Sequence, residues 1–151
     1  MSEGRTQPAT RRYDEGVSHA HILLVEDDPD LAGTLAHVLG AAGYPVRWAR
    51  TGDEGLEAFS LARATPGLVV LDLGLPDMTG VQFGTRLHAH ARPPLILITA
   101  SSQEVLDEAA ARLRAAAALR KPFDAANLLR AVEDTLRART EERPHRRFSG
   151  H

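Results

Sequence analysis

"HILLVEDDPD", residues His21 to Asp30, runs from four apolar residues straight into three acids and a proline. The unbroken apolar run reads as a strand covered on both faces. Pro29 stands where a first helical residue belongs, with Asp28 as its N-cap. Leu31, Thr34, Leu35, Val38 and Leu39 then recur at helical spacing until Gly43 stops the pattern. The stretch is therefore a strand, an acidic turn and a helix. Adjacent carboxylates repel, so Glu26, Asp27 and Asp28 make a solvated turn, a helix cap or a cation site, and the rest of the chain has to decide which.

The same alternation continues. "PVRWA" is a weaker strand, and Thr51–Ala64 carries Leu56, Phe59 and Leu61 in a helical stretch. "LVVLDL" is a second strong apolar strand that also meets an acid, and "GLPDMTG" after it is turn chemistry, with Gly80 read as a turn glycine. Val81–Ala89 is a short helix, "PLILIT" a third strong strand and Ser102–Leu113 an Ala-rich helix. "RKPFD" is a turn before a last helix, Asp124–Arg137, with Leu128, Leu129, Val132 and Leu136 on one face. Strands alternating with helices predict an α/β fold, a doubly wound five-stranded parallel sheet flanked by five helices. The domain spans 20–138, with polar tails without period at 1–19 and 139–151 read as flexible. A length of 151 residues suits one domain.

Composition narrows the function classes. Without cysteine there are no disulfides, thiolate metal sites or cysteine nucleophiles. A net charge of −2 argues for neither nucleic acid nor an anionic membrane surface as partner. The sequence shows no membrane-spanning run and no apolar leader, which makes a cytoplasmic location the expectation. It also lacks a P-loop, a dinucleotide fingerprint and a nucleophile elbow. Of the seven histidines, His19 and His21 would share a strand face and His88 and His90 cannot face each other on a helix, so no histidine metal cluster is expected.

In doubly wound sheets, ligands bind beyond the carboxyl ends of the strands. Glu26 and Asp27 follow the first strand, Asp72 closes the third, Thr99 follows the fourth and Lys121 the fifth. Together they make three acids, a hydroxyl and an ammonium on one edge. A hard divalent ion with oxygen ligands, Mg2+ above all, compensates such acids. With Lys121 and Thr99 the set suits a phosphoryl group held on a carboxylate nucleophile. Asp28 remains with the helix cap.

"LLVEDDPDL", "LVVLDLGLPDMTG", "LILITA" and "LRKPF" resemble the signature segments of the response-regulator receiver domain, the CheY-like module of two-component signalling. The resemblance covers Ala20 to Arg137 and implies strand order 2-1-3-4-5. It implies Asp72 as phosphoacceptor, Asp27 as a direct Mg2+ ligand, Glu26 on the metal or its waters, and the Gly74 carbonyl as a further ligand. It implies that Thr99 and Lys121 contact the phosphoryl group, that Lys121–Pro122 is a cis peptide, and that Gly74 and Ser101 influence phosphoryl lifetime. The implied donor is a histidine kinase or histidine phosphotransfer protein, and the protein is a phosphoacceptor with slow self-hydrolysis, not a turnover enzyme.

Two departures accompany the resemblance. "AARLRAAAALRK" has helix rather than strand propensity where the fifth strand belongs, and Leu113-Arg114-Ala115 lacks the usual glycine break. Ala118 stands where the family carries a Tyr or Phe that reports the state of the threonine, and an alanine has no second rotamer. The expected protein is a stand-alone receiver, since no DNA-binding output module follows. The alternatives are a phosphorylation-independent adaptor, a fragment of a hybrid kinase or longer regulator, and a small Mg2+-dependent phosphatase. For the last, Asp77 is a poor general acid.

Overall fold

The computed structural model describes residues 21–61 and 65–149, with residues 142–149 described by backbone course alone. The expected N-terminal tail lies outside the described residues. Strands and helices alternate in the order β1 (Ile22–Val25), α1 (Pro29–Ala41), β2 (Val46–Ala49), α2 (Gly52–Leu61), β3 (Leu68–Asp72), α3 (Gly80–His88), β4 (Leu95–Thr99), α4 (Gln103–Leu113), β5 (Ala117–Arg120) and α5 (Ala125–Ser149). The strands form one parallel sheet in the order β2-β1-β3-β4-β5. Fold class and strand order are those expected.

Every residue of β1, β3 and β4 is buried, because helices cover both faces of the sheet. The period of two divides their side chains between two cores. Leu23, Val25, Val69, Leu71, Leu95 and Leu97 pack with Phe83, Leu87, Leu106 and Leu113 beneath α2, α3 and α4. Ile22, Leu24, Leu68, Val70, Ile96 and Ile98 pack with Leu35, Leu39, Leu128 and Val132 beneath α1 and α5. Burying one such side chain contributes about 2 kcal/mol, so the central strands are held far more firmly than the edges.

The helix starts follow local chemistry. Asp28 caps α1, its Oδ1 accepting from the Asp30 N–H at 3.0 Å and the Leu31 N–H at 3.5 Å. Thr79 and Gln82 form a reciprocal capping box at α3, a pairing not read from the sequence. Beyond α1, Gly43 takes φ 100°, the left-handed turn expected of it.

Three expectations are corrected. Gly80 is the first residue of α3 rather than a simple turn glycine. A Cβ there would stand 2.7 Å from Leu73 Cα and 3.3 Å from the Asp72 carbonyl oxygen, so glycine lets the helix start press against the end of β3. The missing glycine break before β5 is made by Arg114 in the left-handed region at φ 55°, while the Ala115 N–H bonds the Ala110 carbonyl at 3.0 Å. β5 then forms despite its helical propensity, since pairing with β4 outweighs local preference. Finally, α5 continues past Arg137 to Ser149, where a flexible tail was expected. The apolar period marks the face that meets the core, not the length of the helix. Exposed residues such as Arg137, bonded to Asp134 at 3.0 Å, extend the helix without it.

Candidate functional site

The carboxyl ends of β1, β3, β4 and β5 bring Glu26, Asp27, Asp72, Thr99 and Lys121 together. Carboxylate oxygens of Glu26, Asp27 and Asp72 all lie within 4.8 Å of one another. Among the described residues this is the one such group, and it contains no histidine. His19 lies outside the described residues.

Glu26 is completely buried, at 0% exposure. Its backbone is clamped to the second strand, for its N–H donates to the Ala49 carbonyl at 3.0 Å and its carbonyl accepts from Trp48 Nε1 at 2.7 Å. Its Oε2 accepts from the Asp28 N–H at 2.9 Å. Its Oε1 stands 3.1 Å from Lys121 Nζ, an ion-pair distance, but out of line for a hydrogen bond, so this buried oxygen has no hydrogen-bond donor. Asp72, also buried, accepts from the Gly74 N–H on Oδ1 at 3.0 Å and from Lys121 Nζ on Oδ2 at 3.2 Å. Asp27 is exposed at the mouth. Thr99 is buried, and its Oγ1 accepts from the Ser101 N–H at 3.0 Å.

Burial pushes the Glu26 carboxyl up to about 7; the Asp28 amide opposes this, the Asp72 charge adds to it and Lys121 opposes it. Burial would lower the Lys121 ammonium, but the Glu26 and Asp72 carboxylates overcome it and hold the group above its ordinary value. Glu26 and Asp72 thus share one ammonium with the Asp27 carboxylate beside them, and one buried Glu26 oxygen has no hydrogen-bond donor. That donor set fits a hard divalent cation.

The surrounding residues complete the geometry. Lys121–Pro122 is cis, as the resemblance implied. Gly74 is exposed, and a Cβ on it would meet only Asp72 Oδ1, at 3.9 Å. Ala118 packs half-buried in the core layer of α3 and α4. A cavity of about 270 Å³, lined by Gly74, Thr79, Ser101, Val105 and Arg112 among others, opens beside the acids without including them. Asp77 points away from chemistry: its carboxylate caps α2, accepting from the Gly52 N–H at 2.8 Å and the Asp53 N–H at 2.9 Å. No local spacing in the sequence reveals that cap, because donor and acceptor are far apart along the chain. Arg120 was likewise missed; its Nε donates to the Ser101 carbonyl at 3.1 Å.

A doubly wound domain with an acidic pocket at its carboxyl edge defines a receiver-type signalling module. The chain belongs to the response regulator receiver domain family, whose model matches residues 22–133. It is similar to the sensory transduction protein RegX3 of Mycobacterium tuberculosis, 33% identical over 116 residues that are 77% of this chain and 50% of that protein. It is also similar to the transcriptional regulatory protein GlrR of Escherichia coli, 36% identical over 118 residues, 78% of this chain and 26% of that protein. The chain therefore spans half or less of these relatives' length. Among solved structures, a CheY-like receiver domain from Methanospirillum hungatei superposes with a TM-score of 0.74 at 26% identity, covering 82% of this chain and 98% of that one. Receiver domains are signalling proteins that bind Mg2+ at an acidic pocket and act with histidine kinases or phosphotransfer proteins. Among the described residues no helix is long and apolar enough to cross a membrane.

Proposed function

We propose that this chain is a phosphoacceptor of two-component signalling, with Asp72 as the acceptor and a histidine kinase or phosphotransfer protein as donor. The observation that carries the reading is the Asp72 carboxylate itself, buried and held between the Gly74 N–H and Lys121 Nζ with Glu26 and Asp27 beside it. Asp27, Asp72 and the Gly74 carbonyl would hold Mg2+, with Glu26 acting on the metal or its waters. When bound, the ion neutralises the phosphoryl oxygens and the charge of the acids.

The chain's own groups do the rest. An Asp72 carboxylate oxygen attacks phosphorus; a P–O bond forms and the donor's P–N bond breaks, leaving the electron pair on the donor imidazole. Lys121 Nζ and the Thr99 hydroxyl meet the phosphoryl oxygens as charge develops. Water later attacks phosphorus, the P–O bond to Asp72 breaks, inorganic phosphate leaves and the Asp72 carboxylate is restored. The switch is a population shift between two arrangements of the β4–α4 loop.

Trp48, the one tryptophan of the sequence, offers a direct readout because its indole donates to the Glu26 carbonyl. Its fluorescence should change on titration with Mg2+ and change again with beryllofluoride, a phosphoryl mimic, the second step vanishing in Asp72→Asn. A native chain whose fluorescence ignores both additions, with no mimic bound by fluorine NMR, overturns the reading. Partner binding that is the same with and without the mimic would favour the phosphorylation-independent adaptor.

A further inference from the structure

Ser101 is held from both sides. Its N–H donates to Thr99 Oγ1 at 3.0 Å, and its carbonyl accepts from Arg120 Nε at 3.1 Å. Thr99 belongs to the buried pocket. Arg120 is the exposed last residue of β5, paired in register with Thr99. The backbone beneath is tight, since the Lys121 N–H donates to the Thr99 carbonyl at 2.7 Å. The loop above is not: Ala100, Ser101 and Ser102 are all exposed. A hydrogen-bonded path therefore runs from a buried hydroxyl through one loop residue to a surface guanidinium.

Side chains alternate along β5, so Ala118 and Arg120 share a face, the one that meets the α3–α4 core layer. Ala118 is a bare methyl with no rotamer to change. Arg120 alone on that face reaches the β4–α4 loop by a hydrogen bond. Any movement of Thr99 Oγ1 toward a group on Asp72 must either draw the Ser101 amide along or break its bond. The first displaces the Ser101 carbonyl and the second removes the restraint on its placement, and the charge-assisted bond from Arg120 is directional enough to register either.

We propose that Arg120 is a positioning residue that carries the state of the acid pocket to the exposed end of β5, through Thr99 and the two backbone groups of Ser101. The proposal rests on Asp72 being the phosphoacceptor. The guanidinium follows the Ser101 carbonyl, so the loaded and empty pockets present differently placed charge on the edge formed by β5 and α4. A partner that reads this edge then reads a cation position where an aromatic rotamer is absent.

The test uses proton–nitrogen NMR of the full chain with Mg2+, before and after beryllofluoride. In the native chain the Arg120 Nε–H signal and the amides of Ser101 and Ala117–Leu119 shift together on adding the mimic. In Arg120→Ala the mimic still binds and the Ser101 amide still shifts, but the shifts along Ala117–Leu119 are lost. In Arg120→Lys, which keeps a donor and the charge, they return in part. Unchanged β5 shifts in Arg120→Ala, or an Arg120 Nε–H signal that ignores the mimic in the native chain, overturn the proposal while leaving Asp72 as acceptor. Failure of the native chain to bind the mimic overturns both.

Discussion

Glu26 has an ionisation that works against the metal-free fold. Its folded-state value is raised from 4.5 to about 7, chiefly by burial, so the folded protein binds this proton more tightly than the unfolded chain does. Its contribution to stability is fully present below pH 4.5 and is lost as pH rises through about 7. In chelator, urea unfolding from acid to neutral pH should show stability falling over that window, and Glu26→Gln should flatten the fall. A native curve that rises through the same window contradicts this. At Gly74 the argument concerns water. A Cβ there would sit 3.9 Å from Asp72 Oδ1 with nothing else near, so a long side chain can stand over the carboxylate. Gly74→Arg should slow loss of the phosphoryl group several-fold, measured as decay of the phosphorylated mass; equal lifetimes would remove the shielding argument.

At the scale of elements, close approach and pairing decide what propensity does not. Gly80→Ala sets a methyl 2.7 Å from Leu73 Cα, a backbone atom that cannot swing aside. It should destabilise by about 2 kcal/mol in urea unfolding and weaken Mg2+ binding, because β3 and its Asp72 are displaced together. Arg114→Gly should act in the other direction. A non-glycine residue at φ 55° is strained, and glycine relieves that strain at some entropic cost, for a net gain of about 0.5–1 kcal/mol. A loss of stability in Arg114→Gly would mean the Arg114 side chain makes up for its backbone. These two sites also mark where sequence reading stops. β1, β3 and β4 are legible because double burial writes an unbroken apolar run. β5 was the doubtful element because its alanines say helix, and only the hydrogen bonds offered by β4 make it a strand. The left-handed turn at Arg114 carries no sequence signal at all.

For the whole molecule, topology is what turned scattered polar residues into one site. Glu26, Asp27, Asp72, Thr99 and Lys121 were legible because each follows an apolar run, and the parallel order places those ends together. The Asp77 cap on α2 and the Arg120 contact with Ser101 were not, since both join segments distant in sequence through side chains common on any surface. The length of α5 escaped for a related reason: residues 137–141 are exposed, so no core contact writes an apolar period there. What the fold concentrates at its carboxyl edge is negative charge around the buried Asp72 carboxylate, the acceptor proposed above. Intact-protein mass after incubation with acetyl phosphate, with and without Mg2+ and beside Asp72→Asn, measures that claim most directly. One added phosphoryl group that requires Mg2+ and disappears in Asp72→Asn is the predicted result. An addition that persists in Asp72→Asn, or none in a folded native chain offered both acetyl phosphate and a phosphorylated histidine donor, would contradict it.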